Sequence, residues 1–200
     1  MAKKPVWYWD ACIFLAWLNA EDSIHGPVVM DGIREMIKDI DSGRGIVFTS
    51  VMTKTEVAHK LKTQWARDEF SRFFQRDNAS IVAQDERISD KSSEIREYYS
   101  RKGITLDAGD CIHLATAILY KADVFYTLDG SGANPKPNDL LPLSGDVAGY
   151  PLRIEKPHAK QGSLFTGIPQ MVSSAIKPRS QNAATRKPSA PTKRRKPPPR

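Results

Sequence analysis

Cysteine is scarce: Cys12 and Cys111 are the two in 200 residues, and both have apolar neighbours in the sequence. They read as reduced core residues of an intracellular protein rather than as a disulfide. There are only four histidines, and no Cys/His spacing suits zinc, which excludes ribbon and finger domains. No apolar run reaches the roughly 20 residues that span a bilayer. Lys3-Lys4 followed by VWYWDACIFLAWL imitates a secretion signal, but Asp10 interrupts the apolar run and no convincing small-residue cleavage site follows. A soluble, cytoplasmic protein without membrane association is expected. Internal repeats are also lacking.

Charge of one sign is nearly missing from the C-terminal quarter. From Arg153 to Arg200 there are twelve Lys/Arg against the single Glu155, a local net of +11. The whole chain carries +7, which leaves Met1 to Leu152 at −4. A mildly acidic body therefore precedes a strongly basic segment that ends KPSAPTKRRKPPPR. From about Pro157 hydrophobic periodicity is lost, and such a segment buries too little surface to offset its ordering entropy. The expected organisation is one folded domain, residues 1–156, and a disordered Pro/Lys/Arg-rich tail, residues 157–200.

Within the body, short β-branched and aromatic runs alternate with helical patterns. Val6 to Trp9 reads as a buried strand, and Ala11 to Asn19 as a helix apolar over most of its circumference. A second helix is expected over about Pro27 to Asp39, with Val28, Ile33, Met36, Ile37 and Ile40 inward. Ile46 to Thr49 is the next strand. A long helical region follows from about Thr53 to Arg76, broken near Arg67, with Val57, Leu61, Trp65, Phe70, Phe73 and Phe74 on its apolar side. Ile81 to Ala83 reads as a strand, Asp85 to Lys102 as a helix closed by Gly103, and Leu152 to Ile154 as a weak last strand. In LDAGDCIHLATAILYKADVFYTLDG, residues 106–130, Cys111, Leu114, Ala115 and Ile118 fall at helical offsets, and an apolar strand from Val124 to Leu128 ends on Asp129. Strand–helix alternation predicts parallel pairing in a three-layer α/β/α sandwich.

Four acids occupy comparable places in this pattern. Asp10 and Asp129 end strands, while Glu56 and Asp110 open helices. In a parallel sheet all four fall at the carboxyl edge, where ligands bind. Each also has an ordinary explanation. Asp10 suits an N-cap, Thr53-x-x-Glu56 a capping box, Asp110 the helix dipole and Asp129-Gly130 a turn. Capping does not explain why every choice is a carboxylate. Four gathered anions raise one another's pKa unless a cation sits among them, and oxygen-only ligands suit Mg²⁺ or Mn²⁺. Such ions activate water and clamp phosphate oxygens, which points to phosphodiester hydrolysis.

Three segments, YWDACIFLAWL, TKTEVAHKL and LDAGDCIHLATAILYKADVFYTLDG, resemble the PIN-domain ribonucleases, and within them the VapC-type toxins of bacterial toxin–antitoxin pairs. The match of Asp110-Cys-Ile-His113-Leu-Ala-Thr116-Ala and Thr127-Leu-Asp129 to D-x-x-H-L-A-T-A and T-x-D is the most specific part. The resemblance covers roughly Val6 to Lys156. It implies a PIN-like sandwich and a metal-dependent endoribonuclease in which Asp10, Glu56, Asp110 and Asp129 are the catalytic residues and hold one or two ions. Asp10 and Asp110 would be the central ligands. It further implies an RNA substrate, a protein antitoxin and a homodimer, for which the aromatic middle helices offer a surface. His113 is expected to be hydrogen-bonded beside the core stripe, Asp107 to cap its helix and Thr127 to bond an acidic ligand.

Two departures accompany the likeness. Cys12 stands where the family usually has a small polar residue, so a hydrogen bond to a carboxylate is expected to be lost. Gly130-Ser131-Gly132 follows Asp129 where many members have a second Asp and a Phe. Both motivate an alternative, a catalytically weak or inactive PIN module that binds RNA or a protein partner. The basic tail would add sequence-independent contacts to nucleic acid, or have no role; its one aromatic residue, Phe165, argues against base reading.

Overall fold

A computed structural model describes residues 3–159 of the chain. Residues 160–200, on which most of the expectation of a disordered tail falls, lie outside the described residues. Five strands form one parallel sheet in the order β3-β2-β1-β4-β5: β1 (Val6–Trp9), β2 (Ile46–Ser50), β3 (Ala79–Val82), β4 (Val124–Tyr126) and β5 (Ile154–Glu155). β1 is central, pairing Trp7 with both Val47 and Val124. The helices are α1 (Ala11–Leu18), α2 (Asp22–Asp41), α3 (Met52–Ala58), α4 (Gln64–Phe73), α5 (Glu86–Arg101) and α6 (Ala108–Leu119).

The period-2 geometry of a strand divides VWYW between two cores, which is why the run is apolar throughout. Trp7 and Trp9 face one cluster with Val47 and Val124, built against Phe14, Ile33, Val57 and Phe73 of α1 to α4. Tyr8 faces the other with Phe48 and Phe125, against Ile95, Leu114 and Ala115 of α5 and α6. Trp9 stacks on Phe73 with ring centroids 5.5 Å apart and meets Phe14 edge-on at 5.3 Å. These are the three layers expected from the sequence.

Several boundaries differ from expectation for identifiable reasons. The helix expected to run from Thr53 to Arg76 breaks at residues 59–63, not near Arg67. Thr63 caps α4 by accepting from Ala66 N, and Asn19 pins the turn through Lys60 O and Lys62 N. Trp65, expected on the apolar side, is 56% exposed, whereas Phe70 and Phe73 are buried. In α2, Gly26 has φ +76° and breaks the helix before Pro27. Val28, expected inward, is exposed; five positions before Ile33, it lies well away from the buried stripe of Met30, Ile33, Met36 and Ile40. β4 ends at Tyr126, short of the Leu128 expected: Thr127 N–H still donates to Glu155 O of β5 at 3.0 Å, and Leu128 N–H turns to the Cys12 thiol.

After β5 the chain crosses α2. Ala159 N donates to Val28 O at 3.3 Å, and a Cβ on Gly32 would stand 2.5 Å from the His158 backbone. Only glycine allows this approach.

Candidate metal centre

The carboxyl edge of β1 supplies the first acid. Asp10 follows Trp9 directly, caps α1 by accepting from Ala11 N at 2.6 Å, and is buried. Its capping role and its place at the sheet edge are thus one geometry. Oδ2 accepts from the Thr127 hydroxyl at 2.7 Å and from the Cys12 thiol at 3.2 Å. The carboxylate bond expected to be lost at Cys12 is therefore made by sulfur. Nor are the surroundings of Cys12 simply apolar: its Sγ lies 3.3 Å from Thr127 Oγ1 and accepts from Leu128 N at 3.1 Å. Burial, and then the Asp10 charge, push the Cys12 thiol pKa well above its ordinary value.

Glu56 lies in α3 and turns toward α6. The capping box expected of Thr53 and Glu56 does not form. α3 is capped at Val51 without a side-chain bond, and Thr53 is tied to Thr49 Oγ1 at 2.6 Å. Glu56 Oε2 instead accepts from His113 Nε2 at 2.8 Å. His113 is 1% exposed, and its Nδ1 lies 2.5 Å from the Tyr8 hydroxyl. Burial opposes a charge on the ring, but the Glu56 hydrogen bond and the charges of Asp10, Glu56 and Asp110 outweigh it and raise the His113 pKa. One atom each from Asp10, Glu56 and His113 lie within 4.8 Å of one another, a spacing that could hold a metal ion.

Asp110 occupies the first turn of α6, capped by Asp107, whose Oδ1 accepts from Gly109 N at 2.7 Å. Its pKa is raised to about 7, first by burial and then by the charges of Asp10, Asp129 and Asp107. Asp129, half-buried, accepts from Leu140 N at 2.8 Å through Oδ2, and its own N–H donates to Thr127 Oγ1. Burial raises its pKa, the Leu140 bond lowers it, and Asp139 and Asp10 raise it again, for a net increase. Asp10 and Glu56 thus share a tight group with His113. Asp110 and Asp129 stand outside that group but within electrostatic reach of Asp10. Sequence patterns missed Tyr8 and underrated His113; the i, i+3 relation of Asp110 to His113 on one helix face was the available signal.

Among the described residues no Lys or Arg makes an ion pair with Asp10, Glu56, Asp110 or Asp129. Burial, and then neighbouring carboxylates, raise Asp110 to about 7 with only an imidazole as counter-group, a setting that suits a hard divalent cation.

A parallel α/β sandwich with acids gathered at its carboxyl edge defines the class of protein. The PIN domain family matches residues 8–131, a span containing all four acids, and the chain belongs to that family. No curated protein matches the sequence. Among solved structures, the chain is similar to VapBC2 of Rickettsia felis bound to a promoter DNA fragment, at 15% identity and a TM-score of 0.48, over 61% of this chain and 86% of that one. It is similar to a toxin–antitoxin complex from Klebsiella pneumoniae at 21% identity and a TM-score of 0.40, over 66% and 92%. FitAcB from Neisseria gonorrhoeae is similar at 15% identity and a TM-score of 0.44, over 62% and 87%. Among the described residues no helix is long and apolar enough to cross a membrane.

Proposed function

We propose that the protein is a divalent-metal-dependent endoribonuclease that hydrolyses RNA phosphodiester bonds, and the toxin of a type II toxin–antitoxin pair. The observation that carries this is the convergence of Asp10 and Glu56, from distant parts of a PIN-family chain, on one group with His113 whose ligand atoms lie within 4.8 Å of one another, with no Lys or Arg ion-paired to either acid among the described residues. Asp10 and Asp110 would hold Mg²⁺ or Mn²⁺, with Glu56 and Asp129 completing the set. When bound, the ion supplies an acidified water and neutralises phosphate oxygens. The chain's own part is orientation: Thr127 and Cys12 aim Asp10, His113 aims Glu56, and Leu140 N–H aims Asp129.

The toxin assignment, with a protein antitoxin and a homodimer as partners, rests on the resemblance of the Asp110 and Asp129 motifs. The basic tail would add salt-sensitive contacts to the substrate backbone. Cleavage of RNA by purified protein with Mg²⁺ or Mn²⁺ tests the reading. Asp10→Asn and Asp110→Asn are each expected to lose at least about 100-fold, a range typical of lost electrostatic stabilisation; equal activity in the variants would overturn it. The alternative of a weak or inactive PIN module that binds RNA or a protein is motivated by Gly130-Ser131-Gly132 after Asp129. Absence of saturable Mn²⁺ binding in calorimetry would decide for that alternative.

A further inference from the structure

We propose that the groove between the C-terminal half of α5 and the turn at residues 102–107 is a subsite for the backbone of single-stranded RNA. Arg96 and Arg101 there hold a phosphate on the same strand as the one delivered to the metal centre. The inference rests on the nuclease reading above and adds to it where the strand is gripped.

The body of the protein carries −4, so a polyanionic strand needs cations set beside the metal centre but outside its ligands. A hollow of about 470 Å³, within the size range of ligand clefts, meets that need. Ile104 and Leu106 line it together with Arg96, Arg101, Ser100 and Thr105. A second hollow of about 340 Å³ shares Ile104 and Thr105 and continues to Pro137 and Asn138. The loop bearing these two is fastened to Asp129, whose Oδ2 and backbone O accept from Leu140 N and Leu141 N. On the other side Leu106 leads directly into Asp107, the cap of α6, with Asp110 one turn on. The groove therefore adjoins the two segments that carry Asp110 and Asp129.

The cations of this region are not equivalent. Lys91 is bonded to Glu94 and Tyr150, and Lys102 lies over the Tyr98 ring at 4.0 Å. Arg96 is exposed and makes no ion pair or hydrogen bond among the described residues. Burial and then Asp110 push the Cys111 thiol up to about 11 while the Arg96 charge pulls it back, so Asp110 and Arg96 both lie within electrostatic reach of one sulfur. Glu97, also on the wall, is paired with Arg101. An exposed pair of this kind contributes little, so Arg101 turns to a phosphate at small cost. Guanidinium groups match phosphate oxygens in a fork, and the hydroxyls of Ser100 and Thr105 add neutral donors. A positive groove that follows the backbone is how unpaired nucleic acid is held, and with no aromatic ring lining either hollow the contacts do not read bases.

The test uses full-length protein and a mixed-sequence single-stranded oligoribonucleotide. Fluorescence anisotropy in EDTA over a salt series gives Kd and its salt slope, and cleavage with Mn²⁺ gives KM and kcat. The basic C-terminal segment is the same in every variant and drops out of the comparison. Arg96→Gln is expected to raise Kd and KM about tenfold with kcat nearly unchanged, the pattern of lost uniform binding. It should also flatten the salt slope by about 0.7, the loss of one phosphate contact on a single strand. Arg96→Lys should recover the slope and only part of the affinity, because the charge remains and the fork does not. Arg87→Gln removes the same charge from α5 outside the groove and should change neither. Unchanged Kd, KM and slope in Arg96→Gln overturn the subsite, as does an equal loss in Arg87→Gln. Cleavage with unchanged constants in Arg96→Gln sinks the groove alone. RNA bound with an Arg96-dependent slope but never cut sinks the nuclease reading and leaves the groove standing, so the two failures are distinguishable.

Discussion

The Thr127 hydroxyl donates to the Asp10 carboxylate across 2.7 Å, joining residues 117 positions apart and closing the sheet edge between β1 and β4. The same oxygen accepts the Asp129 N–H at 3.0 Å, so one side chain sets two acids relative to each other. Thr127→Val keeps the shape and removes both bonds. A stability loss of about 2 kcal/mol in urea unfolding is expected, the scale of a buried hydrogen bond to a charged group. Metal-dependent cleavage should fall as well, because Asp10 loses its aim.

Asp110 makes the metal-free protein more stable in mild acid. Its folded pKa of about 7 lies above the ordinary carboxylate value, so between the two the folded state holds a proton that the unfolded state has lost. That contribution is fully present below the unfolded pKa and disappears as pH rises through about 7. Asp129 and His113, also raised, act in the same direction. Thermal unfolding in EDTA should therefore show a higher Tm at pH 5.5 than at pH 8, a gap that Asp110→Asn narrows. The opposite slope would contradict the burial and crowding that raise these groups.

Gly109 separates stability from activity. A Cβ there would stand 3.0 Å from Glu56 Oε1 and 3.1 Å from Asp107 Oδ1. In Gly109→Ala the gain in helix propensity, up to about 1 kcal/mol, offsets the crowding. Urea unfolding should change by less than ~1 kcal/mol. Glu56 must nevertheless give way by a few tenths of an ångström, and Mn²⁺-dependent cleavage should fall about tenfold, as misplacement of a catalytic group does.

Cys12 behaves as a polar core residue and not as a reactive thiol. With its pKa raised by burial and by Asp10, it should resist iodoacetamide at pH 8 in folded protein and react on unfolding. Cys12→Ser should retain the bond to Asp10 and full cleavage; Cys12→Ala should lose part of it. Rapid alkylation of the native state would contradict the packing seen here.

Composition and periodicity alone established the sandwich, the order of its elements, and the placement of Asp10 at a strand end and Asp110 in a helix's first turn. Those features are local: an apolar VWYW needs cover on both faces, and Asp107 before Ala108 caps its helix whatever lies nearby. Glu56, expected to open its helix, lies past the first turn of α3, and Asp129 lies three residues beyond β4. The helix break at residues 59–63 was hidden because Asn19, just past the end of α1, makes the bonds that hold the turn. The capping box failed for the same reason, Thr53 finding Thr49 and Glu56 finding His113. Which acids touch, which partner aims each, and which nitrogen of His113 faces Glu56 were decided by tertiary structure. Hydrogen bonds between Tyr8 and His113, or Cys12 and Leu128, span more than a hundred positions, and no local periodicity encodes a contact that only the closed sheet brings within 3 Å or so.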